Sequence, residues 1–235
     1  MGSVCLRPIV DGWSTGMTTG NSLVLWAIST AAYLLPGLAG IYRRRHLGID
    51  LQILLLYVLL TATVNFLITL LKIYHASIDT IMLAWSPLQY GFLMIVLHRW
   101  VSLRSVRRAI VASIVLLWLV ALGGTWISSD IRMLGVLLRI IASLFLSIGS
   151  SIVIFRALRD TRLNATTSPA IWVAAGVLVY FSGDFVLTTI GFLLKEVLSI
   201  MILPAWVPFQ SLLNIIFSGL LSMAFLQSRP SRLET

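Results

Sequence analysis

Two charged side chains lie inside stretches of the sequence that are otherwise apolar enough to cross a membrane. Arg139 and Asp184 occupy such stretches, where placing a charge costs about 2.5–3.5 kcal/mol on insertion scales. Charged residues in this setting usually face the interior of a helix bundle or a water-filled cavity, and opposite charges can pair there. The sequence therefore predicts a polar site around Asp184, with Arg139 as its counter-ion.

Amide side chains recur at a similar depth in three other apolar stretches. With about 1.5 Å of rise per residue, Asn65, Gln89 and Asn214 fall about 10–16 Å from the same membrane face. For Asn65 and Asn214, a hydrogen bond between helices is an equal alternative, because such bonds join membrane helices without a ligand. The complete set of predicted ligand-binding residues is Asn65, Trp85, Gln89, Arg139, Asp184, Trp206, Gln210 and Asn214.

Two six-residue segments, AWSPLQ at 84–89 and AWVPFQ at 205–210, share Ala, Trp, Pro and Gln at the same offsets. Residues four apart lie on one helix face, so each segment presents an indole beside a carboxamide. That combination can stack on and hydrogen-bond a small polar ligand. Pro87 removes a backbone hydrogen bond, which is tolerated where a helix lines a cavity. Pro208 either lines a cavity in the same way or is an ordinary proline at the start of a helix.

The composition predicts an all-α integral membrane protein. Hydrophobic residues make up 59% of the chain and charged residues only 11%, and the mean hydropathy is +0.99, far from the values of soluble domains. Apolar runs of about 20 residues predict transmembrane helices. The seven predicted spans are Ser22–Tyr42, Ile49–Ile73, Ile78–Leu97, Ala109–Ile127, Met133–Phe155, Ala170–Leu194 and Val207–Leu226.

Basic residues alternate between the predicted loops. Twelve follow the first, third, fifth and seventh spans or end them, whereas the alternate segments hold only Arg7, Lys72, Arg132 and Lys195. This is the positive-inside pattern, which predicts an N-terminus outside and a C-terminus in the cytoplasm. It accounts for the net charge of +9 without nucleic acid. We expect a multi-pass protein of the inner (plasma) membrane, with the lipid bilayer and anionic headgroups at the cytoplasmic arginines as partners.

Matches between the two ends of the chain favour an internal duplication, although short matches also arise by chance. Segment 65–69 resembles 184–188 at a separation of 119 positions, and the two Trp-Pro-Gln segments are 121 positions apart. Matched helices of the same direction predict a parallel repeat about an axis along the membrane normal. The single domain 1–235 would then comprise halves at 21–98 and 131–228, joined by a linker helix at 109–127.

Cysteine and histidine supply no chemistry in this chain. Cys5 is the single cysteine, which excludes an intrachain disulfide and a cysteine metal cluster. His46 and His98 fall at one predicted membrane face and His75 at the other, so the three cannot share a metal ion. No metal, cofactor or catalytic constellation is predicted, and we expect the protein not to be an enzyme.

Three stretches resemble an uncharacterised family of bacterial seven-helix membrane proteins: WSPLQY at 85–90, VYFSG at 179–183 and SLLNIIF at 211–217. The resemblance covers most of the chain and implies the seven-helix fold, but no activity. This chain departs from the family, which tends to carry Glu at the position of Gln89 and no acid at that of Asp184. The arrangement of three, one and three helices is also similar to that of SWEET and PQ-loop transporters, although their Pro-Gln dipeptide is absent.

These patterns favour a small-molecule carrier with a polar pocket between two three-helix halves. The alternative is a membrane sensor that binds a ligand and signals through a separate partner. A membrane-embedded enzyme that modifies lipid is a third reading. The sequence does not identify the small molecule, and a homo-oligomer is an open alternative to a monomer.

Overall fold

The computed structural model describes residues 20–73, 79–101, 103–127, 130–159, 168–193 and 199–228, which contain α-helices, one short 3-10 turn and no strand. The turn, Arg44–His46, follows the second helix. In chain order the helices are α1 (Gly20–Ala32), α2 (Leu34–Arg43), α3 (Ile49–Ile73), α4 (Asp79–Trp100), α5 (Arg104–Ile127), α6 (Ile131–Arg159), α7 (Pro169–Leu193) and α8 (Ser199–Leu226).

Six of the described helices, α3 to α8, are long and apolar enough to cross a membrane. They coincide with the second to the seventh predicted spans, because runs of about 20 apolar residues satisfy both the length of the bilayer and the hydrogen bonding of the backbone. The protein is therefore an all-α, polytopic membrane protein.

The first predicted span is divided. The chain turns at Tyr33, whose N–H bonds to the carbonyl of Thr30 at 3.2 Å, three residues back instead of four. Pro36 lies one turn further on and has no N–H to give to the carbonyl of Ala32. Tyr33 itself keeps helical backbone angles (φ −67°, ψ −16°), so α1 and α2, with 13 and 10 residues, follow one another across a kink.

Prolines inside the other helices do not end them. Pro87 lies within α4, where the neighbouring Ser86 hydroxyl donates to the carbonyl of Met82 at 3.0 Å. Pro208 lies well inside α8, which begins at Ser199. The reading of Pro208 as a helix-start proline is therefore wrong, and its helix begins about two turns before the predicted span does.

The helices pack as a closed ring with one helix outside it. Going round the ring, α3 contacts α4, α4 contacts α6, α6 contacts α7 and α7 contacts α8; α8 contacts α1 and α2, and α2 contacts α3. The outer helix, α5, packs mainly on α4 and α6. Only 17% of its apolar window is buried, compared with 50% in α4. Most of α5 therefore faces lipid.

The interior of the ring is apolar toward one end. We call this the arginine-rich end, because Arg43–Arg45, Arg99 and Arg159 lie there. Large side chains from five helices fill it, namely Leu54, Leu93, Leu97, Leu146, Val177, Leu221 and Phe225, and all are essentially buried. Such packing leaves little space for a polar ligand at this end.

Hydrogen bonds also tie the helices together at the arginine-rich end. A guanidinium N–H of Arg43 donates to the carbonyl of Ser228 at 3.1 Å. Asp50, at the start of α3, pairs with Arg99 and accepts a bond from the Trp100 indole at 3.0 Å. These contacts join α2 to the end of α8 and α3 to α4, so the arginine-rich end is closed.

Candidate functional site

Arg139 of α6 and Asp184 of α7 form a bidentate ion pair. The Nε of Arg139 donates to Asp184 Oδ2 at 2.9 Å, and its second bond runs from Nη2 to Oδ1. The hydroxyl of Ser143, one turn along α6, donates to Oδ2 at 2.9 Å. Because the Asp184 side chain is only 2% exposed, these three bonds are what make a carboxylate tolerable there.

Two glutamines of the predicted site bond to tyrosines in the same way. The amide nitrogen of Gln89 in α4 donates to the hydroxyl of Tyr57 in α3 at 2.9 Å. The amide nitrogen of Gln210 in α8 donates to the hydroxyl of Tyr180 in α7 at 3.0 Å. In each case an amide on one helix is joined to a buried tyrosine on the preceding helix of the ring.

A third tyrosine links the divided first helix to α8. The hydroxyl of Tyr33, at the break between α1 and α2, donates to Asn214 Oδ1 at 3.1 Å. It also lies within electrostatic range of Tyr57, Tyr180 and Asp184. The three tyrosines thus bring the hydrogen-bonded pairs and the ion pair into one region.

We call this set the polar layer, and it lies within the ring beyond the apolar arginine-rich end. It draws on the break between α1 and α2 and on five ring helices. Its members are Tyr33, Tyr57, Gln89, Arg139, Ser143, Tyr180, Asp184, Gln210 and Asn214.

Arg139 is less buried than its partner although it lies on the inward face of α6. It shares a helical stripe with Ala142, Ser143 and Leu146, all of which are buried. Its own side chain is nevertheless 29% exposed, against 2% for Asp184. Arg139 therefore keeps some accessible surface on the ion pair, whereas Asp184 keeps almost none.

Several polar atoms near the polar layer have no hydrogen-bond partner among the described residues. The hydroxyl of Thr188 is buried on the same face of α7 as Asp184, one turn nearer the end of that helix. The acceptor oxygen of Gln210 is likewise buried and unpartnered. Buried polar groups without partners are uncommon, and one explanation is a water or ligand that binds there.

Two of the predicted site residues, Asn65 and Trp85, stand apart from the polar layer. Asn65 takes part through its backbone, whose carbonyl accepts a bond from Thr69 at 2.8 Å, and its side chain is not among the groups bonded in the layer. Trp85 is partly buried and packs against the apolar core. The side chain of Trp206 lies outside the described residues. Arg139, Asp184, Gln89, Gln210 and Asn214 are all in the layer.

Sequence reasoning missed Tyr33, Tyr57, Tyr180 and Ser143. Tyrosine is common at membrane interfaces, so its presence in a span does not by itself mark a site. One signal was nevertheless present for Tyr33, because a proline three residues later predicts a disturbed helix at that point. Serine gives no comparable signal, since its hydroxyl commonly bonds to its own helix.

The tyrosine–glutamine bonds suggest a different alignment of the two ends of the chain from the one that the sequence match gives. Tyr57 and Tyr180 are 123 positions apart, and Gln89 and Gln210 are 121 apart. With the tyrosines superposed, the counterpart of Asp184 is Thr61, which is also buried. The sequence match with Asn65, at 119 positions, is displaced from this by four residues, or about one helical turn.

Compared with known proteins, the chain matches no family model, no curated protein and no solved structure. The resemblance to bacterial seven-helix proteins therefore stays a prediction. The polar layer is therefore the main evidence for what the protein does.

Proposed function

We propose that the protein is a carrier of small polar molecules, whose substrate binds in the polar layer. The observation that carries the proposal is the ion pair of Arg139 and Asp184 inside a ring of membrane helices, in which the Arg139 side chain is 29% exposed. Ionisable residues inside membrane bundles usually mark the path or the binding site of a substrate.

We infer that the exposed part of Arg139 faces an aqueous opening on the side away from the arginine-rich end, and such an opening, with the arginine-rich end closed, would fit one state of a carrier. Basic loops mark the cytoplasmic side, so the arginine-rich end would face the cytoplasm and Arg139 the outside. In this state a solute would enter from outside and stop at the polar layer. Transport would then require the apolar packing of Leu97, Leu146 and Leu221 to separate.

The divided first helix supports the same proposal. Transporter sites near the middle of the bilayer are often formed where helices are interrupted. Here the interruption at Tyr33 places a hydroxyl beside Asn214. The break therefore contributes directly to the polar layer, and α1 and α2 could tilt separately when a substrate binds.

We further propose that the carrier is an internal duplication of three helices, with α5 as the linker. The support comes from the equivalent bonds of Gln89 to Tyr57 and of Gln210 to Tyr180, and from the position of α5 outside the ring. Two similar halves on opposite sides of a site can rock about it, which is how many carriers alternate their access.

Anionic lipid of the inner membrane is the proposed partner at the cytoplasmic face. Arg107 and Arg108 border a groove of about 350 Å³ together with His98, Val111 and Ala112. Arg99, by contrast, is already paired with Asp50. Arg107 also donates from Nε to the carbonyl of Val101 at 2.6 Å. Arginines beside the headgroups attract phosphate, by about 1 kcal/mol for each residue near the surface.

The second candidate is a ligand sensor that passes occupancy to a separate partner. It would use the same polar layer and differ only in moving no solute. A lipid-modifying enzyme stands third, because among the described residues the polar layer contains no His, no Cys and no second carboxylate beside Asp184. We therefore propose binding and transport instead of catalysis.

Access of water to Arg139 can be tested with single cysteines in a Cys5→Ser background. Gly135 lies one turn from Arg139 on the same face of α6. A Cβ added at Gly135 would lie 4.0 Å from the side chain of Leu83, so a cysteine fits there. Leu137 faces outward and is 37% exposed. We expect a membrane-impermeant thiol reagent added outside to modify Gly135→Cys at least about tenfold faster than Leu137→Cys, since a thiolate forms where water reaches it.

Leu137→Cys is the matched control, because it lies at nearly the same depth but faces lipid. Equal rates at the two positions would contradict an aqueous opening at Arg139. Faster reaction of Gly135→Cys from the cytoplasmic side would instead contradict the proposed orientation.

A further inference from the structure

We propose that the substrate carries a carboxylate, which replaces Asp184 as the partner of Arg139 while Asp184 takes up a proton. This inference rests on the proposed carrier function and specifies its substrate class. The protein would then move one proton together with each monocarboxylate, and the transported pair would be electrically neutral.

The free edge of Arg139 is the first ground for this inference. A guanidinium has five N–H donors in a planar fork that matches a carboxylate. Asp184 accepts from Nε and Nη2, and the remaining donors have no acceptor among the described residues. A carboxylate that enters through the opening meets these donors before it reaches Asp184.

The second ground is the unpartnered hydroxyl of Thr188. It lies on the Asp184 face of α7, one turn further than the carboxylate from the arginine-rich end. A bound carboxylate has two oxygens and about four acceptor positions. Arg139 can satisfy one side of that group, and the Thr188 hydroxyl is available as a further donor.

Charge neutrality requires the proton. Arg139 and Asp184 together carry no net charge, and the groups nearest to them are the hydroxyls of Tyr33, at the break between α1 and α2, and of Tyr180, on α7 itself. Tyr33 and Tyr180 are in turn bonded to Asn214 and Gln210, and the Tyr57 hydroxyl, bonded to Gln89, lies near both tyrosines. A carboxylate added to this set brings an uncompensated negative charge into the bilayer, which is costly. Protonation of Asp184 restores a net charge of zero.

The exchange of partners is chemically balanced. The substrate carboxylate forms hydrogen bonds to Arg139, the bonds from Arg139 to Asp184 break, and one proton from the aqueous opening binds to Asp184. Arg139 keeps its charge throughout. Ser143 can accept the new O–H of Asp184 as readily as it now donates to the carboxylate, because a hydroxyl does both.

The test is calorimetric binding to the purified protein of three carboxylates, acetate, lactate and benzoate, each compared with its neutral amide. We expect at least one carboxylate to bind and no amide to bind comparably. Buffers of different ionisation enthalpy should reveal uptake of about one proton for each carboxylate bound. The affinity should fall by up to about tenfold per pH unit as pH rises, as linkage to one proton requires.

Variants separate the two parts of the proposal. Asp184→Asn mimics the protonated acid, so it should bind the carboxylate with no proton uptake and no dependence on pH. Arg139→Gln should bind no carboxylate. Asp50→Asn removes the acid of the other ion pair, at the arginine-rich end, and should behave as the wild type.

Each contrary result has a distinct meaning. Amides that bind as well as their carboxylates would overturn the substrate class and leave the carrier itself standing. Carboxylate binding without proton uptake would overturn the proton step. If no carboxylate binds while sugars or amines are transported, the inference fails and the proposed function survives. The wild-type measurements decide the matter even where Asp184→Asn does not fold.

Discussion

Replacing Arg139 by glutamine is expected to lower the free energy of unfolding by about 3–5 kcal/mol, the usual cost of removing one partner of a buried ion pair. The change leaves the Asp184 carboxylate, which is 2% exposed, without its counter-charge inside the bundle. Asp184→Asn should cost less, because the partly exposed guanidinium of Arg139 can turn toward the opening. Unfolding in detergent mixtures, followed by circular dichroism, measures both losses.

Two controls make this result specific. The double variant Arg139→Gln/Asp184→Asn should recover at least about half of the loss, because two amides can bond to each other without a buried charge. Arg99→Gln breaks the ion pair with Asp50, whose side chains are 44% and 27% exposed. That change should cost no more than about 1 kcal/mol. If Arg139→Gln is as mild as Arg99→Gln, the Arg139–Asp184 pair is not holding α6 and α7 together.

Replacing Gly176 by leucine is expected to destabilise the protein by about 1–3 kcal/mol, the range for overpacking an interior. A Cβ at Gly176 would already lie 3.3 Å from the Cβ of Leu220 and from the ring of Phe217. Phe217 in turn stacks on Tyr180, with ring centroids 5.0 Å apart. The added side chain would therefore push α7 from α8 and disturb the tyrosine that accepts from Gln210.

Gly219 on α8 provides the matched control. No atom lies within 4 Å of a Cβ added there, so Gly219→Leu should change the free energy of unfolding by no more than about 0.5 kcal/mol. Thermal unfolding of the two variants in the same detergent makes the comparison. Equal losses would show that Gly176 is not needed for the approach of α7 to α8.

The membrane helices could be predicted from the sequence because their signal is simple. A span is a long run of apolar residues, and α3 to α8 each contain one. The break at Tyr33 was harder, because α1 and α2 remain apolar on both sides of it. Pro36 marks the place, yet Pro87 lies inside an unbroken α4. Whether a proline divides a helix therefore depends on what surrounds it.

The candidate site was predictable in its depth and less so in its contacts. Counting residues along the spans placed Arg139 and Asp184 at compatible levels, and they do pair. The same counting cannot say which way a side chain points round the helix. The sequence therefore predicted Gln89 and Gln210 as site residues, but it did not predict their hydrogen-bond partners Tyr57 and Tyr180.

The alignment of the two ends illustrates a further limit. Residues four apart share a helix face, so a match shifted by one turn preserves the pattern of buried positions. If the two ends are duplicates, as we propose, the sequence match pairs Asp184 with Asn65, whereas the tyrosine–glutamine bonds pair it with Thr61. Only contacts between helices distinguish the two registers.

Solute flux in proteoliposomes tests the central claim most directly. The experiment compares the wild type with Arg139→Gln, and with Arg104→Gln as a control at an exposed arginine of α5, over labelled carboxylates, amino acids and sugars. We expect saturable uptake of at least one solute, retained in Arg104→Gln and lost in Arg139→Gln. Absence of saturable uptake, or uptake by Arg139→Gln at the wild-type rate, would contradict the claim.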